Sequence, residues 1–211
     1  MVRYRREAAS RPPRRYAGER YWAKPLPGFG DRDARILVIG LAPAAHGGNR
    51  TGRIFTGDSS GDTLMRALHA NRLSNRETSV DRNDGLALHD VYLTAAVRCV
   101  PPKNRPTGDE IKNCFDYLIH EFSLLTRIRV VVALGKIAFD AAVRLLKTCG
   151  YRCLNGPPKF SHSAIYEFES DSRVILLIAS YHPSRQNTQT KRLTQEMLDD
   201  VFRRAVTLLD T

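Results

Sequence analysis

The sequence predicts an α/β fold in three layers (α/β/α), with helices on both faces of a central, mostly parallel, four-stranded sheet. Two observations predict it. Four runs, ARILVIG (34–40), DVYLTAAV (90–97), RVVVALG (129–135) and RVILLIAS (173–180), are almost continuously apolar and rich in β-branched residues, as strands covered on both faces should be. Segments with helical periodicity separate them, and strand–helix alternation implies parallel strands joined by crossovers.

In chain order, residues 1–33 are rich in Arg, Pro and Gly (RPPRR, KPLPGFGD) and read as an extended basic arm lying on a single domain, 34–211. After the first strand and a long polar loop, SSGDTLMRALHAN (59–71) reads as an amphipathic helix capped by Ser or Asp. Thr107 and Glu110 have the T-x-x-E spacing of a capping box and open a helix through about Leu125. KIAFDAAVRLLKTC (136–149) is a further helix, which Gly150 is placed to end. Residues 151–172 read as an irregular loop with a short strand around AIYEF, and RLTQEMLDDVFRRAVTLL (192–209) as the closing helix.

At 211 residues the chain fits one domain with short extensions. Its longest apolar run, VILLIAS (174–180), falls far short of the roughly 18 residues of a membrane span. The basic N-terminus lacks the apolar segment of a secretory signal, so a cytoplasmic location is expected. Lys and Arg outnumber Asp and Glu by 33 to 22, a net charge of +11. Such a surplus suits a polyanionic partner through counterion release, and equally suits plain solubility. It is concentrated at one end: the first twenty residues hold Arg3, Arg5, Arg6, Arg11, Arg14, Arg15 and Arg20 against Glu7 and Glu19. Without a secretory signal, Cys99, Cys114, Cys149 and Cys153 read as free thiols or metal ligands rather than disulfides.

In open α/β sheets ligands bind beyond the carboxyl ends of the strands. That rule selects the loops 40–58, 98–106 and 180–190 and the turn at Gly135. The first, GLAPAAHGGNRTGRIFTGDSSG (40–61), contains GGNRTGRI, which departs from a phosphate-binding G-x-x-x-x-G-K-[ST] loop by carrying Arg53 and Ile54 at the two decisive positions. A nucleoside triphosphatase is therefore disfavoured. Phe55 is apolar in a polar, glycine-flanked stretch and either stacks on a base or folds into the core. Asp58 precedes a helix start, so it is either an N-cap or a catalytic carboxylate. The last loop, SYHPSRQNTQTKR (180–192), places His182 at a strand end beside Pro183 and a polar, acid-free stretch, a setting that favours a functional imidazole over a core one.

GLAPAAHGGNRTGRIFTGD, VYLTAAVRCVPPKNRPT and SYHPSRQNTQTKRLT, together with YWAKPLPGFGD (21–31) and FSHSAIY (160–166), resemble the signature regions of type-5 uracil-DNA glycosylases, the iron–sulphur "b" branch of the superfamily. The resemblance runs from about Arg3 to the end. It implies a monofunctional base-excision-repair enzyme that everts uracil from DNA and hydrolyses its N-glycosidic bond, leaving an abasic site. Gly40, Leu41, Ala42, Pro43 and Ala45 would line the base pocket and Phe55 would stack on the base. His182 would stabilise charge on the departing base. Ser184, Arg185, Gln186 and Asn187 would enter or brace the minor groove. Asn104 would be a secondary polar contact, or simply a solvated loop residue. The implied partner is double-stranded DNA carrying deaminated bases, met by a monomer associated with the nucleoid.

Two departures bear on mechanism. GLAPA lacks the polar side chain with which better-known branches orient the attacking water, so that task, or stabilisation of the oxocarbenium-like sugar, falls to Asp58. Ala95 stands where the related iron–sulphur branch carries an Asn that reads uracil's edge. Loss of that amide implies relaxed specificity that extends to hypoxanthine or other deaminated bases. The family resemblance also implies a [4Fe–4S] cluster on four cysteines. Cys99 and Cys114 match one pair. The other pair is expected upstream of Met1 in a longer natural product, and a cluster-free variant is the alternative. Cys149 and Cys153 match no cluster position and read as ordinary thiols. Among other classes, a nucleophilic esterase would need a G-x-S-x-G elbow, which is absent. A two-metal nuclease would have only Asp58 and Asp62 to work with. A non-enzymatic nucleic-acid-binding domain would explain the charge but not the polar residues gathered at the strand ends.

Overall fold

The structure, a computed structural model, describes residues 1–171 and 173–210. Its elements run α1 (Val2–Ser10), β1 (Phe29–Gly30), β2 (Ile36–Gly40), α2 (Gly48–Thr51), α3 (Ser59–Ala70), β3 (Val91–Ala95), α4 (Gly108–Leu124), β4 (Val130–Leu134), α5 (Lys136–Thr148), β5 (Arg152–Cys153), β6 (Ile165–Glu169), β7 (Val174–Ser180), α6 (Arg185–Gln189) and α7 (Gln195–Thr207). The four apolar runs are β2, β3, β4 and β7, and they form the parallel heart of the sheet in the order β3-β2-β4-β7. The sheet is wider than the four strands expected. The two-residue β1 adds antiparallel to β3, and β6 and β5 extend the other edge antiparallel, for seven strands among the described residues. These edge strands are short or partly exposed, so they lack the long apolar runs that mark the centre.

Continuous apolar runs put side chains on both faces, and each face has its own core. Ile36, Val38, Leu93, Val130, Val132 and Ile178 face α3 and α7, whose Leu64, Leu68, Val201 and Phe202 are wholly buried. Leu37, Ile39, Val131, Ala133 and Leu177 face α4 and α5, with Phe115, Leu118, Phe139 and Leu145 packed on them. The α/β/α layering holds. Each Leu, Ile or Phe among them contributes about 2 to 5 kcal/mol, judged by truncation to Ala. The helix starts follow their caps. The Asp58 carboxylate accepts from the Ser60 and Gly61 amides at 2.9 and 3.0 Å, and Thr107 and Glu110 close a reciprocal capping box.

The basic arm departs from expectation. Residues 2–10 wind into α1 instead of lying extended, and the N-terminal ammonium pairs with Glu110 at 2.6 Å. Arg5, on this helix, is buried and donates through Nη1 to Cys99 Sγ at 2.6 Å. Among the described residues no helix is long and apolar enough to cross a membrane.

Candidate active site

Parallel register brings the carboxyl ends of four strands to one rim. Gly40 pairs with Ala95, Ile39 with Ala133, and Leu134 with Ser180. Two loop residues cover that rim. The Phe55 ring lies on Gly40, where any β-carbon would come within 2.5 Å of its Cζ. His182 lies against Gly135, whose own β-carbon would be 3.1 Å from His182 Cβ and whose φ of +94° also favours glycine. Because β2 and β4 are neighbours, Phe55 and His182 stand over adjacent strands on the same side of the molecule. Phe55 joins one core cluster and is only 9% exposed, so its ring is a wall at the edge of the core rather than an open platform.

His182 is half-buried, and desolvation pulls its pKa down from 6.5 to about 4. Its imidazole is therefore neutral at pH 7. Its backbone is tied on both sides. The His182 carbonyl accepts from the Ser184 amide and from Asn187 Nδ2, both at 2.8 Å, while Ser184 Oγ caps α6 by accepting from the Asn187 amide. Arg185 and Gln186 are exposed on the outer side of that short helix. On the other side, the Tyr181 amide donates to His162 Nδ1 at 3.2 Å, and the two rings stack with centroids 4.9 Å apart. In the sequence, nothing but its place in FSHSAIY (160–166) marks His162. Its task is to accept one backbone N–H across a long sequence separation, and local pattern carries no trace of such a bond.

Asp58 is an N-cap, and its second oxygen is free of that cap. One carboxylate oxygen caps α3 while the other stands over Gly47 in the first loop. Burial raises its pKa against the lowering effect of the Gly61 and Ser60 amides. Leu41, Ala42 and Ala45 are half-buried and Pro43 is buried. The carbonyls of Gly40 and Leu41 are already engaged, accepting from the amides of Ala96 and Val97 at 2.9 and 3.1 Å. Asn104 sits apart from this group in character, exposed at a left-handed turn that ends Pro102–Asn104.

Behind the first loop, Arg53 is buried and donates to Thr56 Oγ1, Ser79 Oγ and Asp84 at 3.0, 2.8 and 2.6 Å. This pairing holds Asp84 down at about 2 and clamps the turn that carries Phe55, which has a φ of +50°. Cys99 and Cys114 are both buried, and burial pushes the Cys114 thiol up. Cys149 and Cys153 are free thiols elsewhere. Among the described residues no group of three or more His, Cys, Asp or Glu is placed to hold a metal ion. A cubane cluster takes four thiolates. Cys99 and Cys114 supply two, and the Arg5 guanidinium already occupies Cys99, so these residues alone do not fit the cluster.

A family model described as the uracil DNA glycosylase superfamily matches residues 27–205. The type-5 uracil-DNA glycosylase of Thermus thermophilus is 51% identical over 205 residues, which cover 97% of this chain and 89% of that protein. The type-5 uracil-DNA glycosylase of Mycobacterium tuberculosis is 46% identical over 206 residues, 97% of this chain and 74% of that protein. Similarity falls to 30% over 162 residues for a type-4 uracil-DNA glycosylase of Archaeoglobus fulgidus, covering 75% of this chain and 70% of that protein.

Proposed function

The chain belongs to the uracil-DNA glycosylase superfamily, and from that premise we propose that it excises uracil from DNA through the rim formed by Phe55, Asp58 and His182. The observation that carries this reading is the seating of Phe55 and His182 over adjacent parallel strands, supported by similarity to type-5 enzymes along nearly the whole chain.

A base inside the duplex is out of reach, so the nucleotide is everted at a cost of a few kcal/mol. Phe55 walls the pocket and stacks on the base. The bond from C1′ to the base nitrogen breaks and its electron pair leaves with the base. The neutral His182 imidazole donates an N–H to the base carbonyl on which that charge collects, a dipole set in place before the charge appears. Asp58 faces the positive sugar and positions the water. The water oxygen bonds to C1′, its proton is lost, and the base anion takes one up. Leu41, Ala42 and Pro43 offer no polar side chain for the water, which leaves the carboxylate. Ser184, Arg185, Gln186 and Asn187, presented by α6, fill the gap in the stack.

Ala95 beside Gly40 supplies no amide at the base edge, so the pocket also accepts hypoxanthine and related deaminated bases. The protein works as a monomer on chromosomal DNA. An iron–sulphur cluster, were two further cysteines to join Cys99 and Cys114, would be structural at the loop after β3 and would take no part in bond cleavage. The test is incubation with a duplex holding one uracil, followed by detection of abasic sites. Cleavage at uracil and not at thymine supports the proposal, and binding without abasic sites favours a non-enzymatic DNA-binding domain.

A further inference from the structure

Beside the first loop lies a second concavity that the excision chemistry does not use. It is a cleft of about 300 Å³ in which Arg20, Lys24, Arg50 and Arg82 surround Trp22 and Tyr21. Lys24 Nζ lies 5.4 Å and Arg82 Cζ 4.8 Å from the indole centroid, so the half-buried ring holds two cations above the surface. The Trp22 and Ala23 amides donate to the carbonyls of Arg50 and Asn49 at 3.0 and 3.1 Å, which fixes this segment to the loop that supplies the base pocket. Arg50 is the hinge between the two places. It donates to the His46 carbonyl at 2.8 Å and the Gly57 carbonyl at 3.4 Å, and its charge reaches Asp58, the next residue. The same guanidinium pairs with Glu19 at 2.7 Å. Among the described residues no carboxylate pairs with Arg20, Lys24 or Arg82, so their charge is available to a ligand.

We propose that this cleft is a phosphate-binding subsite for the DNA strand on the Asp58 side of the base pocket, across the rim from α6. The inference rests on the DNA-directed reading above. Three unpaired cations around an aromatic ring suit a backbone phosphate, and the link through Arg50 keeps the held phosphate in register with the catalytic carboxylate. With α6 on one flank and this cleft on the other, the strand is gripped on both sides of the everted nucleotide.

The test is the Lys24→Ala/Arg82→Ala double variant of the full chain. Both side chains are exposed, so folding is not at stake. Binding to undamaged duplex across a salt series should weaken roughly fivefold to tenfold at low salt, with a log–log salt slope shallower by about 1 to 2. Single-turnover excision of uracil at saturating enzyme should match the wild type, and Lys24→Arg/Arg82→Lys should restore the slope. An unchanged slope overturns the subsite, and so does a lost saturating rate, which would place the cleft in the chemistry. Failure of the wild type to release uracil while the slope still changes would defeat the excision reading and leave the phosphate subsite standing.

Discussion

The Phe55 ring rests directly on the backbone of Gly40, with room at position 40 for a hydrogen and nothing larger. This contact joins the end of a central strand to the wall of the proposed base pocket. It also explains why a large aromatic stands in a loop otherwise made of small and polar residues.

Gly40→Ala should therefore displace the ring. Overpacking of this kind costs about 1 to 3 kcal/mol, and a stacking wall moved by an ångström costs on the order of a hundredfold in rate. Denaturant unfolding and single-turnover uracil excision measure the two. A variant as fast as the wild type would free Phe55 from its assigned role.

Asp58→Asn separates the cap from the chemistry. Asn caps helices about as well as Asp, so stability should change by less than about 1 kcal/mol, while excision should fall by about two to four orders of magnitude. Because burial raises the Asp58 pKa, the acid limb of the wild-type rate profile should lie above the ordinary carboxylate value of 3.8. Near-normal cleavage by the Asn variant would reduce Asp58 to a cap.

His182 predicts a stability profile. Its folded pKa of about 4 is below the unfolded 6.5, so between those values the unfolded chain binds the extra proton. Stability from this group is complete above about 6.5 and is lost as pH falls toward 4, by at most about 3 kcal/mol. Across that window the unfolding free energy of the wild type should fall relative to that of His182→Ala as pH is lowered. Parallel curves would mean that the imidazole is not desolvated.

Ala95 predicts breadth. Duplexes holding uracil, hypoxanthine or xanthine should all yield abasic sites, uracil and hypoxanthine within about two orders of magnitude of each other, since the amide that would discriminate is missing. Cleavage at uracil alone would show that another group reads the base edge.

Much of this was legible in the chain because the relevant forces are local. The β2, β3, β4 and β7 runs declare burial on both faces, and Asp58, Thr107 and Gly150 mark helix ends through caps and a left-handed residue that do not depend on distant partners. The α1 helix was hidden because its arginines resemble a solvated arm, and burial of Arg5 against Cys99 depends on a contact 94 residues away. Strands of two residues such as β1 and β5 are too short for any periodicity. The strand-end rule leads to the rim where Phe55 and His182 lie, whereas His162 and the Trp22 cleft owe their places to tertiary contacts alone.

The most direct test of the central claim is single-turnover uracil excision by His182→Ala, with affinity for undamaged duplex measured alongside. A neutral donor aimed at developing charge predicts a rate lower by about a hundredfold to a thousandfold, with DNA affinity within about twofold of wild type. A rate that survives the substitution, or one that falls only as far as the affinity does, would contradict it.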